Sequence, residues 1–422
     1  MSLPALAYGS RRLPTPARHP SFDLLDTAVA MPALDAGAIA SAVATPIASA
    51  PLEEVVRGAR RVHLVVPDAT RAAAAAQLVE AAMGALGRAS IGPERVGAVF
   101  AVGLHRAPTA AEREQLLGRW ARRLAVVPCD PDDGSDRRDL GRTSFGTQVW
   151  LGRRALEADR LILIGSIDFH YFAGFTGGRK AIFPGLAAAE SIHANHLRVL
   201  GDGPAGRDPR VGPGRIDDNP VHLDMEDAAA RVDPSFLINS VTDHRGRVVR
   251  VFAGHWRLAH RYGCDWVAQW RSVQVPEARP LVVVSAGGHP KDINLIQAHK
   301  AVEHAQAAVS DGGVLVLVAE CRDGMGHPQF LPWFRYREDL ARFRSQLLEH
   351  YQVYGQTAFA LCAKLRRYRI VLVSALPAQQ VEEIGMIPAT DLAQALCLAE
   401  RFVGDTRGWW IPHGGAILAR LA

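Results

Sequence analysis

The sequence lacks the cysteine patterns that staple a fold or hold a metal. Its five cysteines (Cys129, Cys264, Cys321, Cys362 and Cys397) are odd in number and widely spaced, with no C-x-x-C. This argues against a disulfide framework and a cysteine-ligated metal, and it suits a reducing, cytoplasmic setting. Long apolar runs are missing too. The alanine-rich stretch from Ala36 to Pro51 is broken by Pro46 and is too short to span a bilayer, and MSLPALAYGSRR has no signal-peptide core. No membrane partner is expected. There is no block of basic residues, no zinc-finger spacing, no aromatic RNA-binding signature and no internal repeat. Nucleic acid is therefore not an expected partner. The net charge of +5 is carried mostly by arginine interleaved with acidic residues. Such a modest excess suits small anionic substrates.

What is present is an ordinary globular composition, 48% hydrophobic and 22% charged over 422 residues. That is enough for two or three domains with cores of their own. Apolar runs alternate with helical patterns, the βα signature of a largely parallel sheet. Strands are expected at Val62–Val66, Val96–Val102, Leu161–Ile164, Phe236–Val241 and Val248–Phe252. Helices are expected near Arg71–Leu86, Ala187–Leu200 and His255–Trp270, and Thr109 with Glu112 reads as a capping box. After the composition shift at Val275–Pro280 a fresh pattern begins: strand Leu281–Ala286, helix Asn294–Val309, strand Val314–Val318, strand Ile370–Ser374 and a helix from Asp391 to Phe402. The expected architecture is two α/β domains, residues 1–275 and 276–422, with mostly parallel sheets and an active-site cleft between them.

Chemistry concentrates in the segment from Ser166 to Lys180. Gly174, Gly177 and Gly178 allow close backbone approach to a ligand, and successive N–H groups there can cradle an anion. A P-loop is excluded in detail: Arg179 replaces its second glycine and Ala181 its magnesium-binding hydroxyl residue. No G-x-G-x-x-G follows a strand in the right context. Polar groups also gather on strand-end loops, where α/β proteins place their sites. They are Asp68 and Arg71, His105 and Arg106, His170, and then Lys291, Asp292, Gln297 and Lys300. His299 alternates away from Gln297 and Lys300 and is expected to be exposed.

His170…Gly174-Phe175-Thr176-Gly177-Gly178-Arg179-Lys180…Asn195-His196 resembles the signature of the lactate racemase family. Supporting segments are Asp68-Ala-Thr-Arg71, Gly103-Leu-His105-Arg106, Pro290 to Lys300, Asn219-Pro220, Ala253 to Trp256 and Pro412-His-Gly414, in order over about residues 20–420. The resemblance implies a 2-hydroxyacid racemase or epimerase, with cofactor-maturation enzymes as partners. Its cofactor would be a nickel-pincer nucleotide of the pyridinium-3,5-bisthiocarboxylic acid mononucleotide type, covalently attached through Lys180. His196 would ligate nickel, which imidazole suits. His193, on the same helix face, competes for that role, and the family pattern places the ligand in Asn195-His196. Asp68, Gly174, Thr176, Gly177 and Gly178 would hold the cofactor. His105 and His170 would be the acid/base pair, matched to a working pH near neutral. Arg71 and Lys300 would bind the substrate carboxylate, with Gln297 adding a hydrogen bond. Asp68 is expected to orient Arg71 or meet the cofactor ribose.

Two departures bear on substrate. Lactate-active members usually carry tyrosine where Ile296 stands. They also carry a late tryptophan that Tyr354-Gly-Gln-Thr357 does not supply. The expected substrate is therefore bulkier than lactate, turned over by proton-coupled hydride transfer. The alternatives are a silent family member that keeps the site, and an NAD-type oxidoreductase, against which the missing dinucleotide fingerprint speaks.

Overall fold

Alternating buried runs and helices build two six-stranded sheets. The computed structural model describes residues 3–27, 31–68, 74–201, 206–243 and 245–422. They fall into two compact units. One holds residues 31–198 and 210–269 of those described. The other combines 3–27, 199–201, 206–209 and 270–422. The chain changes unit near Gln269/Trp270, a few residues before the composition shift.

In the first unit the strand order is Val248–Gly254, Phe236–Thr242, Arg160–Ser166, Val62–Pro67, Val96–Ala101, Ala125–Val127. All neighbours are parallel except the first pair. The central strands are buried on both faces, so they read as unbroken apolar runs. Helix Ala75–Arg88 covers them with Leu78, Val79, Ala82, Met83 and Leu86, an i, i+4, i+8 stripe. Leu78 is fully buried, and its replacement by Ala would cost about 2–5 kcal/mol. The Thr109/Glu112 capping box is formed and opens helix Ala110–Leu117. The hairpin Arg137–Arg142/Gln148–Gly152 has no counterpart in the sequence reading. Its first strand is RRDLGR, half-buried or exposed throughout, and gives no apolar signal.

The second unit has the order Ile387–Ala389, Arg369–Val373, Val309–Val318, Arg279–Ser285, Gly408–Ile411, Phe22–Leu24, all parallel. Helices Leu295–Ala305, Val353–Leu365 and Leu392–Val403 pack on it, and their buried residues join its cores. Asn294 caps the first of these by accepting from the Gln297 N–H. The edge strand Phe22–Leu24 comes from the far N-terminus. It is held by Asp23 against Arg279 at 2.7 Å and by the Leu25 N–H on the Trp410 carbonyl at 2.9 Å. Among the described residues no helix is long and apolar enough to cross a membrane.

Candidate functional site in the first unit

Strand Arg160–Ser166 delivers the chain from the middle of its sheet into the glycine-rich loop. The loop folds back on itself through a short ladder, Phe169–His170 against Gly174–Phe175. Thr176 closes it: its Oγ1 donates to the Ser166 carbonyl at 2.7 Å and accepts from the Asp168 N–H at 2.9 Å. Arg179, 1% exposed, donates to the Ala173 carbonyl at 2.6 Å. His260 Nε2 lies 2.9 Å from the Thr176 carbonyl, and Asn219 Nδ2 donates to the Phe172 carbonyl at 2.8 Å.

Gly177 and Gly178 stand at φ +76° and +56°, a region disfavoured for side chains. A Cβ on Gly178 would lie 2.4 Å from His260 Cγ, and one on Gly177 would lie 2.4 Å from Asn239 Oδ1. The close approach at these glycines is thus made by the protein's own side chains. The Gly178 N–H donates to Asn239 Oδ1 at 2.8 Å and the Thr176 N–H to the Asp168 carbonyl at 2.8 Å. The loop is a rigid bracket for the residues at its two ends, His170 and Lys180.

Those two residues meet. Lys180, 8% exposed, places Nζ 3.5 Å from His170 Nε2. His170 Nδ1 accepts from the Ala173 N–H at 3.2 Å and from the Phe172 N–H at 3.5 Å. Phe172 lies at the centre of the group. Its ring meets His170 edge-on at 4.5 Å, lies 5.5 Å from Lys180 Nζ and meets His196 at 4.9 Å.

His196 ends helix Ala189–His196 and is buried. Its Nδ1–H donates to the Ile192 carbonyl at 2.9 Å, which leaves Nε2 with its lone pair. Burial pushes this imidazole down to about 3, so it is neutral at any working pH. Lys180, His193 and His105 lie near enough to act on it electrostatically. His193 is half-buried and lowered by the same cause, with Glu190 and Asp132 acting on it. His105 Nδ1 lies 2.7 Å from Asp68 Oδ2, with 44% of its side chain exposed and the carboxylate buried. This bond fixes the Nδ1–H tautomer and leaves Nε2 as a base. Asp68 therefore orients His105; Arg71 lies outside the described residues.

The helix carrying His196 is anchored by a residue the sequence reading does not single out. Asp224 is fully buried. It accepts from Thr143 Oγ1 at 2.5 Å, Thr147 Oγ1 at 2.7 Å, Asn195 Nδ2 at 2.8 Å and Arg198 Nε at 2.9 Å. It thereby joins the hairpin to helices Ala189–His196 and Pro220–Ala230. Its partners are 26 to 81 residues away in sequence, so no local pattern reveals the hub. Asn239 and His260 likewise hold the loop from distant elements.

Gln297 and Lys300 lie in the second unit, on one turn of helix Leu295–Ala305. The Lys300 ammonium donates to Gln297 Oε1 at 2.6 Å. His299 corrects an expectation: it is 2% exposed, not on the surface. Its helix turns that side inward, toward Glu303 and Lys364, and burial lowers it to about 4. Ile296 packs half-buried against the core, and Thr357 is buried with Oγ1 donating to the Val353 carbonyl at 3.2 Å.

Two family models match the chain: the lactate racemase N-terminal domain over residues 9–207 and the lactate racemase C-terminal domain over 275–418. The chain belongs to the lactate racemase family. As a member it is an isomerase of the racemase class. A lactate racemase of Thermoanaerobacterium thermosaccharolyticum is 31% identical over 390 residues, covering 90% of this chain and 89% of that protein. One of Lactiplantibacillus plantarum is 33% identical over 290 residues, covering 68% and 66%. The solved lactate racemase apoprotein from T. thermosaccharolyticum superposes with a TM-score of 0.88 at 28% identity, covering 99% of each chain. A Thermotoga maritima protein of known crystal structure shares the fold, with a TM-score of 0.66 at 18% identity over 92% of this chain and 99% of that one.

Proposed function

We propose that this racemase inverts the hydroxyl-bearing carbon of a 2-hydroxyacid bulkier than lactate, using a nickel-pincer nucleotide tethered to Lys180. The observation that carries this reading is the group around Phe172, where His170, Lys180 and His196 all contact one ring. The donor chemistry fits the cofactor. Lys180 offers an amine for attachment. His196 is neutral, with its tautomer fixed by Ile192 so that Nε2 can bind a metal, the arrangement common to metal-binding histidines. When bound, the cofactor supplies an acceptor and donor of hydride.

The protein's residues then manage protons and position. His105, oriented by buried Asp68, takes the substrate hydroxyl proton at Nε2 and holds it as an imidazolium stabilised by the carboxylate. His170 serves the hydroxyl on the opposite course of the reaction. Arg71 and Lys300 bind the carboxylate, and Gln297 fixes its orientation. Gly174, Thr176, Gly177 and Gly178 fold the loop that presents Lys180 to the cofactor, and Asp68 holds His105 in place. The five unpaired cysteines suit a cytoplasmic enzyme supplied by maturation enzymes.

The test is intact-protein mass and metal analysis after co-production with the maturation enzymes. A discrete adduct and nickel are expected on the wild type, and neither on Lys180→Ala. His196→Ala keeps the adduct and loses most nickel, while His193→Ala changes nickel little. An adduct retained by Lys180→Ala, or the reverse pattern for the two histidines, refutes the corresponding assignment.

A further inference from the structure

We propose that the second unit carries an accessory site for a small aromatic carboxylate, in a cavity of about 280 Å³ between the segments 329–335 and 346–352. The site shares no residue with the group around Phe172. Two features meet there: a fixed apolar floor, and a rim of donors without a countercharge.

The floor is set by a short run of aromatic residues. Leu331–Tyr336 is a tight 3-10 turn with Pro332 in its first positions. Phe330 and Phe334 beside it are fully buried in the core. Trp333 is clamped by its neighbours. Its ring stacks on Phe343 at 5.4 Å and 11°, and Gly355 lies so close that a Cβ there would come within 2.5 Å of the indole Cε2. The indole N–H donates to Gln352 Oε1 at 2.9 Å. The indole therefore cannot turn, and the 9% of Trp333 left exposed lines the cavity beside Pro332.

The rim offers donors. Gln352 gives its oxygen to Trp333, so its amide N–H groups remain to donate. Arg335 is exposed, with its guanidinium carbon 4.7 Å from the Tyr336 ring centroid. That stack orients the guanidinium plane and leaves its N–H groups unused: among the described residues Arg335 has no hydrogen-bond or ion-pair partner. His350 is the other titratable residue of the lining, and no Asp or Glu belongs to it. Glu349, next to His350 in sequence, lies outside the lining and accepts from Gln346 Nε2 at 3.2 Å. A cation over an apolar floor, with no acid to balance it, complements a ligand that is apolar in body and anionic at one end. Small-molecule sites run upward from about 300 Å³, so this one suits a single ring with its carboxylate rather than a nucleotide. An inorganic anion would leave the floor bare.

The probe is 4-fluorobenzoate, followed by fluorine NMR during titration with the full-length apoprotein. Saturable binding is expected, with a Kd of about 1 mM or tighter. Arg335→Ala removes a charge-assisted contact and should weaken it at least about tenfold. Gln329→Trp, which fills the cavity from an exposed position, should abolish it. Arg122→Ala removes the same charge from an exposed position in the first unit, and Lys300→Ala removes a cation from the proposed substrate site; both should bind like the wild type. The uncharged 4-fluorobenzamide should bind at least about tenfold more weakly than the acid. No saturable binding by the wild type overturns the proposal, as does a Kd unchanged by Arg335→Ala or by Gln329→Trp. An equal loss in Arg122→Ala overturns it by reporting bulk charge alone, and a loss confined to Lys300→Ala overturns it by putting the probe on the substrate site. Equal binding of the amide overturns the carboxylate as the ligand class.

Discussion

Replacing Asp224 by Asn tests whether one buried carboxylate holds the His196 helix in place. The substitution keeps the shape, removes the charge and turns one acceptor oxygen into a donor. Four donors face the carboxylate in the wild type. The Thr143 and Thr147 hydroxyls can rotate toward other acceptors. The Asn195 amide and the Arg198 guanidinium are fixed by their own packing and lose a charge-assisted bond each, worth about 1.5–3 kcal/mol apiece. Arg198 keeps 25% of its side chain in solvent and recovers part of its loss from water. The lower end applies, about 3 kcal/mol in all. For a unit of this size each kcal/mol moves Tm by about 2–4 °C, so a drop of about 6–12 °C is expected by calorimetry. Glu114→Gln is the control. It breaks only an exposed ion pair to Arg122 at 3.3 Å, worth at most about 1 kcal/mol. The reasoning fails if Asp224→Asn unfolds within about 2 °C of the wild type.

Further predictions concern chemistry and the second unit. With Ile296 and Thr357 in place of aromatic residues, turnover of a bulkier 2-hydroxyacid should exceed that of lactate in a substrate screen; lactate as best substrate refutes this. Racemisation in D2O should return product that keeps its α-hydrogen, because imidazole is a weak base toward a carbon-bound hydrogen beside an ionised carboxylate. Deuterium entering at the racemisation rate would contradict hydride transfer. Glu303→Gln should cost about 3–5 kcal/mol at pH 7, because it leaves buried Lys364 without the partner now 2.6 Å away. Burial lowers Lys364 to about 8, so the unfolded chain binds more protons between about 8 and 10.5, and stability gains with pH across that window. Urea unfolding of Glu303→Gln should therefore show a smaller penalty at pH 9.5 than at pH 7; an equal or larger one contradicts the pairing.

Local chemistry made much of this protein legible in its sequence. Strands Val62–Pro67, Val96–Ala101 and Arg160–Ser166 are buried on both faces, so each is a short apolar run between turn residues. The capping box at Thr109 depends on residues three apart, and it forms. His105, His170, Lys180 and His196 stand out by residue type on loops after strands and on a helix end. The sequence could not show that His105 meets Asp68, or that His170 meets Lys180, because donor geometry depends on how the loop closes.

What the sequence determined by itself is the alternation of elements and the types of chemistry at strand ends, both set by neighbours a few residues apart. What only the tertiary structure decided depends on long-range burial. His299 turns inward because Glu303 and Lys364 form a buried pair beside it. Residues Phe22–Leu24 complete a sheet otherwise built after residue 270, because an unpaired edge beside Gly408–Ile411 satisfies their backbone groups. Gly177 and Gly178 are required by Asn239 and His260, which reach the loop from elements about 60 and 80 residues onward. Partner choice at such distances is set by packing, which no local spacing encodes.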